Sequence, residues 1–355
     1  MQSILSNNLS IFLLFIFLNI FFIYISSVKI FKQYQESYDG LQKIHDGYVP
    51  RIAGAILFLF LFIININNYF YFSKYLLVIQ YASIPLITIS FLEDSVKEIK
   101  PLVRSFFIFL SASLLIVFIL KDLPTIELPI LSYLINNFLF IKFIFFIFAI
   151  YILCNSINLI DGVNGLAFFN CISILLSLIL LSIKTDDVFF QTIFQFLLLC
   201  YLIQLFFNFP KSFFFMGDLG AYFGGFILSA LIVDFFAKNN SLINSWVAVL
   251  IIFYPIFELL FSTLRRLYLK KGLTSPDKNH LHHLVYSFLN DRLKNKFANS
   301  LTSIILLPLW SFPFFWIHYT DVLSSIMLCF VGIALQVFLY VTSYIFFRKL
   351  NRCKI

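Results

Sequence analysis

The chain has 355 residues, 61% of them hydrophobic and 12% charged, with a formal net charge of +8 and a mean hydropathy of +0.96. A soluble domain of this length needs about a quarter of its residues charged to cover its surface, which excludes that class and indicates an integral membrane protein. Apolar runs of about 17 to 25 residues suit spanning helices, and the absence of short alternating strands argues against a membrane barrel.

We predict an all-α polytopic protein in which residues 1–355 form one membrane domain. Eleven spans are expected near 9–30, 52–72, 75–92, 105–120, 138–156, 166–183, 189–207, 219–236, 242–263, 300–318 and 323–347. The second is interrupted by Asn65, Asn67 and Asn68, and the eighth is rich in glycine. The first run follows no basic segment and precedes no small-residue cleavage site, so a retained span is expected. The cysteines Cys154, Cys171, Cys200, Cys329 and Cys353 lack zinc or redox spacing and read as inert thiols. With the amino terminus outside, 20 Lys and Arg residues fall on one side of the membrane and five on the other. Basic residues favour the cytoplasmic side, so the carboxyl terminus is expected inside. The basic excess suits anionic lipid headgroups of the bilayer rather than nucleic acid.

With this topology the polar patches of interest all fall inside. The first, QKIHDGYVPRIAG (Gln42–Gly54), places Lys43, His45 and Arg51 around a proline before a helix start. Cations and free backbone N–H groups there suit an anion, although ordinary positive-inside decoration explains them equally well. The second holds Glu93 and Asp94 beside Lys97, Lys100 and Arg104. Adjacent carboxylates at a membrane boundary need a cation or water to compensate them; a solvated helix end is the plainer alternative.

The third patch, NSINLIDGVNG (Asn155–Gly165), contains no base. Asn155, Asn158 and Asp161 recur every third residue and lie near one helical stripe. An acid at the end of an apolar stretch is costly and points to function, against helix–helix hydrogen bonding by the asparagines. In the fourth, FMGDLGAYFGG (Phe215–Gly225), Asp218 opens an apolar run. Its carboxylate either caps the helix or binds a hard cation such as Mg²⁺.

The fifth patch lies in the sizeable polar stretch 264–297, which carries eight Lys and Arg, two acids and three of the five histidines. In GLTSPDKNHLHH, His280 and His283 are expected to face alike on a helix and His282 to point elsewhere. No cysteine or HExxH partner accompanies them, so phosphate recognition with Arg265 and Arg266 is favoured over zinc. A solvated basic loop remains the alternative.

Together, and in this order, the five patches resemble the polyprenyl-phosphate N-acetylhexosamine-1-phosphate transferases, over about residues 40–290. QKIHDGYVPRIAG resembles that family's K-x-H-x-G-x-x-P-R-x-G-G, and NSINLIDGVNGLA its N-x-x-N-x-x-D-G-x-D-G-L. MGD and PDKNHLHH resemble its metal-binding core and its P-D-x-x-H-x-H-H ending. Ala53, Glu93, Asn164 and Glu258 depart from the pattern, the last three standing where relatives carry Asp.

The resemblance implies transfer of a sugar 1-phosphate from a UDP-N-acetylhexosamine to undecaprenyl phosphate, with release of UMP. It implies Mg²⁺, with Mn²⁺ as the alternative, and a multi-pass enzyme of the bacterial inner membrane working on the cytoplasmic side; relatives are often homodimers. It assigns Asp94, Asp161 and Glu93 to the catalytic group, and Asp218 with Asp161 to the metal. Lys43, His45, Arg51, Arg104, Asn158, Asn164, Arg265, Arg266, His280, His282 and His283 are assigned to substrate. The runner-up is phospho-N-acetylmuramoyl-pentapeptide transfer, whose branch ends in H-H-H-F-E where this chain has HLHHLVY. A transporter, with acids near the bilayer midplane, and a catalytically inactive relative are the readings from other classes.

Overall fold

A computed structural model describes residues 2–27, 49–96, 99–118, 122–127, 132–270, 272, 277–293, 297–323 and 325–352. These are helical, with no strand among the described residues. In chain order the helices are α1 (Gln2–Ser27), α2 (Ala53–Ile66), α3 (Ser73–Ala82), α4 (Ile84–Val96), α5 (Pro101–Phe118) and α6 (Ser132–Asn137). There follow α7 (Leu139–Ile160), α8 (Leu166–Lys184), α9 (Val188–Asn208), α10 (Gly217–Lys238), α11 (Trp246–Ile251) and α12 (Phe253–Tyr268). The last are α13 (Leu281–Leu293), α14 (Ala298–Ile305), α15 (Leu307–Trp310), α16 (Phe312–Tyr319) and α17 (Ile326–Arg352).

Six of these helices are long and apolar enough to cross a membrane, or seven when α3 and α4, bent by 57°, count as one span. The chain is therefore a polytopic α-helical membrane protein. Each of the eleven predicted stretches is largely helical, but several are short or broken, for reasons visible in the residues. α2 stops at the Asn67–Asn68 turn, where Asn68 adopts φ +52°, and the buried Asn65 amide donates to Gln80 Oε1 at 2.8 Å. The ninth stretch breaks at Ile252, three residues before Pro255, which supplies no N–H to the helix ladder. The tenth divides into three pieces, with Pro308 and Pro313 in the opening turns of α15 and α16.

α10 is the central helix, buried almost end to end among α7, α4 and α2. Its small residues permit that. Without a hydrophobic driving force between helices in lipid, close approach needs glycine, alanine or serine. A Cβ on Gly54 would lie 2.1 Å from Gly220 Cα, and one on Gly225 would lie 2.6 Å from Cys154 Cα. Backbone bonds tighten the first contact: Phe215 N donates to Pro50 O (2.9 Å), Ala53 N to Phe215 O and Gly54 N to Met216 O (both 3.2 Å). Gln204 Nε2 donates to Ala53 O at 2.7 Å. The start of α2 is thus fastened to the start of α10.

Polar side chains collect at two ends of the bundle. At one end, Asp187 accepts from Phe190 N, Lys238 Nζ and Asn239 Nδ2, and Tyr75 OH donates to Asp234 at 2.7 Å. At the other end lie the sequence patches singled out above. Between them, Phe15 stacks on Phe60 at 4.2 Å, and Phe196 packs against Phe70 and Phe72 at 4.9 and 5.4 Å.

The Gly54–Gly220 contact predicts that Gly54→Ala lowers the yield of folded protein and its thermal stability by about 1–3 kcal/mol. Gly272, where an added Cβ would meet no atom of the described residues within 4 Å, is the control; Gly272→Ala should leave the melting temperature within error.

Candidate active site

Three loops and helix ends converge at the second end of the bundle. The Asn158–Gly165 segment leaves α7, turns, and enters α8 at Gly165, whose φ of +80° suits glycine. The Met216–Asp218 segment begins α10 and contains Gly217 at φ +73°. The Asp277–His283 segment leads into α13.

Asp161 and Asp218 meet here. Gly217 N donates to Asp161 Oδ2 at 3.1 Å, so the Asp161 carboxylate sits at the start of α10, where free N–H groups and the helix dipole favour negative charge. Asn158 Nδ2 donates to Asp218 Oδ1 at 2.7 Å, and Tyr222 OH donates to Asn158 Oδ1 at 3.2 Å. Arg51 Nη1 stands 4.0 Å from Asp218 Oδ2, with its side chain 43% exposed. Beyond Tyr222, the Arg104 guanidinium lies 5.5 Å from that ring and pairs with Glu93 at 2.7 Å. Glu93 is close enough to Asp218 for the two carboxylates to interact.

Burial pushes the Asp161 carboxyl up to about 7, with Asp218 adding to the rise while Arg51 and the Gly217 N–H act against it. A second negative charge beside Asp218 is therefore resisted. Carboxylate oxygens on two adjoining segments, resisting full ionisation until a cation arrives, form a donor set that fits a hard divalent ion. Among the described residues no group of three or more His, Cys, Asp or Glu side chains gathers as a metal cluster. Two carboxylates with water and phosphate oxygens suit Mg²⁺ or Mn²⁺, whereas zinc would require a fuller protein shell.

The histidine arm reaches the same place. His282 is 1% exposed, and its Nε2 would lie 3.6 Å from a Cβ on Gly162, the residue after Asp161. Its Nδ1 is buried without a hydrogen-bond partner among the described residues. The ring lies 5.6 Å from His280 and 4.4 Å from His283. Burial, then His283 and His280, hold His282 well below the ordinary histidine range. Burial and His280 bring His283 down to about 4, despite Glu258 and Asp277. Both imidazoles are therefore neutral at pH 7 in the ligand-free protein, and meet an anion first as N–H donors.

The expected residues divide accordingly. Arg51, Glu93, Arg104, Asn158, Asp161, Asp218 and His282 come together. Asn155 donates to its own helix at Tyr151 O instead (2.8 Å). Asn164 is built into the loop: its backbone N–H donates to Asn299 Oδ1 (2.7 Å), its side-chain amide donates to Pro210 O (3.0 Å), and its backbone carbonyl accepts from Ser303 Oγ (2.5 Å). Arg265 engages Asp277, the Asn279 carbonyl and Tyr344 OH, and Arg266 engages the Gly272 carbonyl, so both shape the arm itself. His280 immediately precedes α13, and the three rings cluster: His280 and His282 stack, His283 is tilted against both at 5.9 and 4.4 Å, and His282 lies against the Asp161 loop. Asp94 lies in the last turn of α4, with its side chain outside the described residues, as are Lys43 and His45.

Tyr222 was missed by sequence reasoning. It stands four residues after Asp218 and therefore on the same helical face, a spacing that an apolar reading of α10 obscures. Asn208, at the end of α9, was also missed; its Oδ1 accepts from Gly165 N at 2.5 Å.

The sequence pattern of glycosyl transferase family 4 matches residues 76–236, which carry Glu93, Arg104, Asn158, Asp161 and Asp218. A Bacillus subtilis (strain 168) protein named as a probable undecaprenyl-phosphate N-acetylglucosaminyl 1-phosphate transferase is 26% identical over 249 residues, 70% of this chain and 68% of the relative. A Thermotoga maritima protein named as an undecaprenyl-phosphate alpha-N-acetylglucosaminyl 1-phosphate transferase is 28% identical over 243 residues, 68% of this chain and 70% of the relative. Over this interval the chain is similar to glycosyl transferase family 4. Arg51 and the histidine arm lie outside the matched interval, yet they border the residues inside it.

The raised Asp161 carboxyl has a consequence for stability. A folded-state value above the unfolded one costs stability as pH rises from about 4 through 7. Asp161→Asn keeps an acceptor for Gly217 N–H and should stabilise the ligand-free, metal-free protein by about 1–2 kcal/mol at pH 8, with little effect at pH 4. Thermal unfolding of both proteins at the two pH values measures this; equal shifts at both would contradict it.

Proposed function

We propose that this protein transfers N-acetylhexosamine 1-phosphate from its UDP carrier to undecaprenyl phosphate, releasing UMP. The reaction would open assembly of a cell-surface polysaccharide such as an O-antigen or teichoic acid. The observation that carries the reading is the meeting of Asp161 and Asp218 beside His282, whose buried Nδ1 awaits a partner. Both relatives are named for transfer of N-acetylglucosaminyl 1-phosphate with undecaprenyl phosphate.

An anionic lipid phosphate attacking an anionic pyrophosphate asks chiefly for positioning and charge neutralisation. Asp161 and Asp218 would hold Mg²⁺, which when bound supplies positive charge to the donor pyrophosphate. Asn158 fixes the rotamer of Asp218, and Tyr222 in turn fixes Asn158. Arg51 supplies an exposed cation beside Asp218. His282 and His283 would donate hydrogen bonds to phosphate oxygens, and the phosphate charge would draw protons onto them. Asp94 remains our assignment for the lipid phosphate, as base or orienting group.

The acceptor's tail has a place to go. An apolar cavity of about 150 Å³ opens between α7, α10 and the α11–α12 break, lined by residues including Phe145, Ile150, Leu153, Val233, Trp246 and Val249. A length of isoprenoid chain would suit it, which gives a reason for embedding this chemistry in a bilayer. We take the eleven helical stretches as crossings with the amino terminus outside, so that the site faces the cytoplasm of a bacterial inner membrane. The 20 basic residues on that side support this orientation.

Purified protein given undecaprenyl phosphate, Mg²⁺ and a panel of UDP-N-acetylhexosamines should release UMP with one of them. Asp218→Asn should lower that rate by about 100-fold or more. Near-normal transfer by the variant would remove Asp218 from the metal, and no UMP from any donor would count against the transferase reading.

A further inference from the structure

Glu258 sits in α12 with 0% exposure, in a chain where a buried carboxylate without partners would be prohibitively costly. Its partners come from three separate parts of the chain. Oε1 accepts from Leu281 N at 3.2 Å and from Ser262 Oγ at 3.4 Å, and faces His280 Nδ1 at 3.1 Å. Oε2 accepts from Tyr340 OH, on the last helix, at 2.8 Å. Ser262 Oγ also lies 3.0 Å from His280 Nδ1. Sequence reasoning noted Glu258 only as a departure from the family pattern.

Two consequences follow from the chemistry of that carboxylate. The oxygen that accepts from Leu281 N also faces His280 Nδ1, so that ring nitrogen is the one placed to donate. A histidine oriented through one nitrogen by a carboxylate is held in a defined tautomer and ring position. The bond from Leu281 N, at the first residue of α13, further fixes where that helix begins. Glu258 therefore controls the register of the segment that carries His280, His282 and His283.

The last helix completes the grip. Besides Tyr340, Tyr344 OH accepts from Arg265 Nη1 at 2.7 Å, and Asn351 Nδ2 donates to Leu284 O at 3.0 Å. Phe257 and Phe261 pack edge-on against Tyr340, at 4.9 and 5.3 Å. α17 thus holds both sides of the arm: α12, which leads into it, and α13, which leads out. None of these residues falls in the interval matched by the family pattern.

We infer that Glu258 and Tyr340 are positioning residues, which set the histidine arm against the Asp161 loop and hold His280 in its Nδ1–H form. The inference rests on the transferase reading for its kinetic consequence, but not for its structural one. The groups facing His280 are Glu258 and Ser262 from α12, and His282 and His283 from the arm, with Asp277 close enough to interact.

The test has two arms. In the first, ¹⁵N-histidine-labelled protein is observed by NMR, with the His280 signal assigned from its loss in His280→Asn. Wild type should show an Nδ1-protonated ring, and Glu258→Ala should release it to the Nε2–H form; an Nε2–H ring in the wild type overturns the inference. In the second, kcat/KM for the UDP-sugar should fall about 100-fold in Glu258→Ala and about tenfold in Tyr340→Phe. Tyr340→Phe removes a single oxygen and keeps the aromatic packing, so its melting temperature should move by less than about 3 °C, and it serves if Glu258→Ala fails to fold. Wild-type kinetics in Tyr340→Phe, with transfer active in the wild type, overturns the positioning role alone. Absent transfer in the wild type overturns the functional reading, while the NMR arm still reports on Glu258 and His280.

Discussion

Two carboxylates of like charge are held together at the end of a helical bundle, and most of the site can be understood as the means of keeping them there. Asp161 ends α7 and Asp218 opens α10, and they adjoin because α10 passes unusually close to its neighbours. That closeness depends on absent side chains: Gly54 against Gly220, and Gly225 against Cys154. Remove the room for backbone to meet backbone and the acids separate. The glycines of this segment therefore place the two acids through geometry.

Holding the pair is costly, and the surrounding groups offset that cost unequally. The Gly217 N–H and the start of α10 favour charge on Asp161, and the Asn158 amide favours it on Asp218. Arg51 is near but largely solvated, so its contribution is screened. The remainder is visible in the Asp161 carboxyl, pushed up to about 7. On the proposed function, a divalent cation with its phosphates would offset that cost. The histidine arm works from the opposite direction, since its buried imidazoles are neutral and gain most by meeting an anion. The two acids and the neutral His282 and His283 face one another across the Asp161 loop. A metal-bound pyrophosphate would satisfy both.

Much of this was legible in the residues because buried polarity is expensive. Asp161 and Asp218 stood out as acids bordering long apolar runs, and Asn158, one helical turn before Asp161, was found by the same logic. What could not be read was which distant segment answers each group. Asn164 looked like a substrate contact, but its partners are Asn299 and Ser303 of α14 and Pro210 between α9 and α10, all distant in sequence. Arg265 and Arg266 looked like phosphate binders because their acid, Asp277, lies across a loop whose fold the sequence does not disclose. Helical spacing misjudged the histidines for a local reason: α13 begins at Leu281, one residue after the first of them. The apolar stretches are helical, but six or seven of the described helices, not eleven, are long and apolar enough to cross a membrane. Pro255, Pro308 and Pro313 mark breaks that hydropathy alone averages away.

The central claim is that Asp161 and Asp218 share one cation beside the donor's phosphates. It is tested most directly by paramagnetic resonance of Mn²⁺ added to the purified protein together with a UDP-N-acetylhexosamine. The account predicts one tightly held Mn²⁺ whose spectrum shows coupling to ³¹P, and loss of that bound ion in both Asp161→Asn and Asp218→Asn. A phosphorus-coupled Mn²⁺ that persists unchanged in either variant would contradict it.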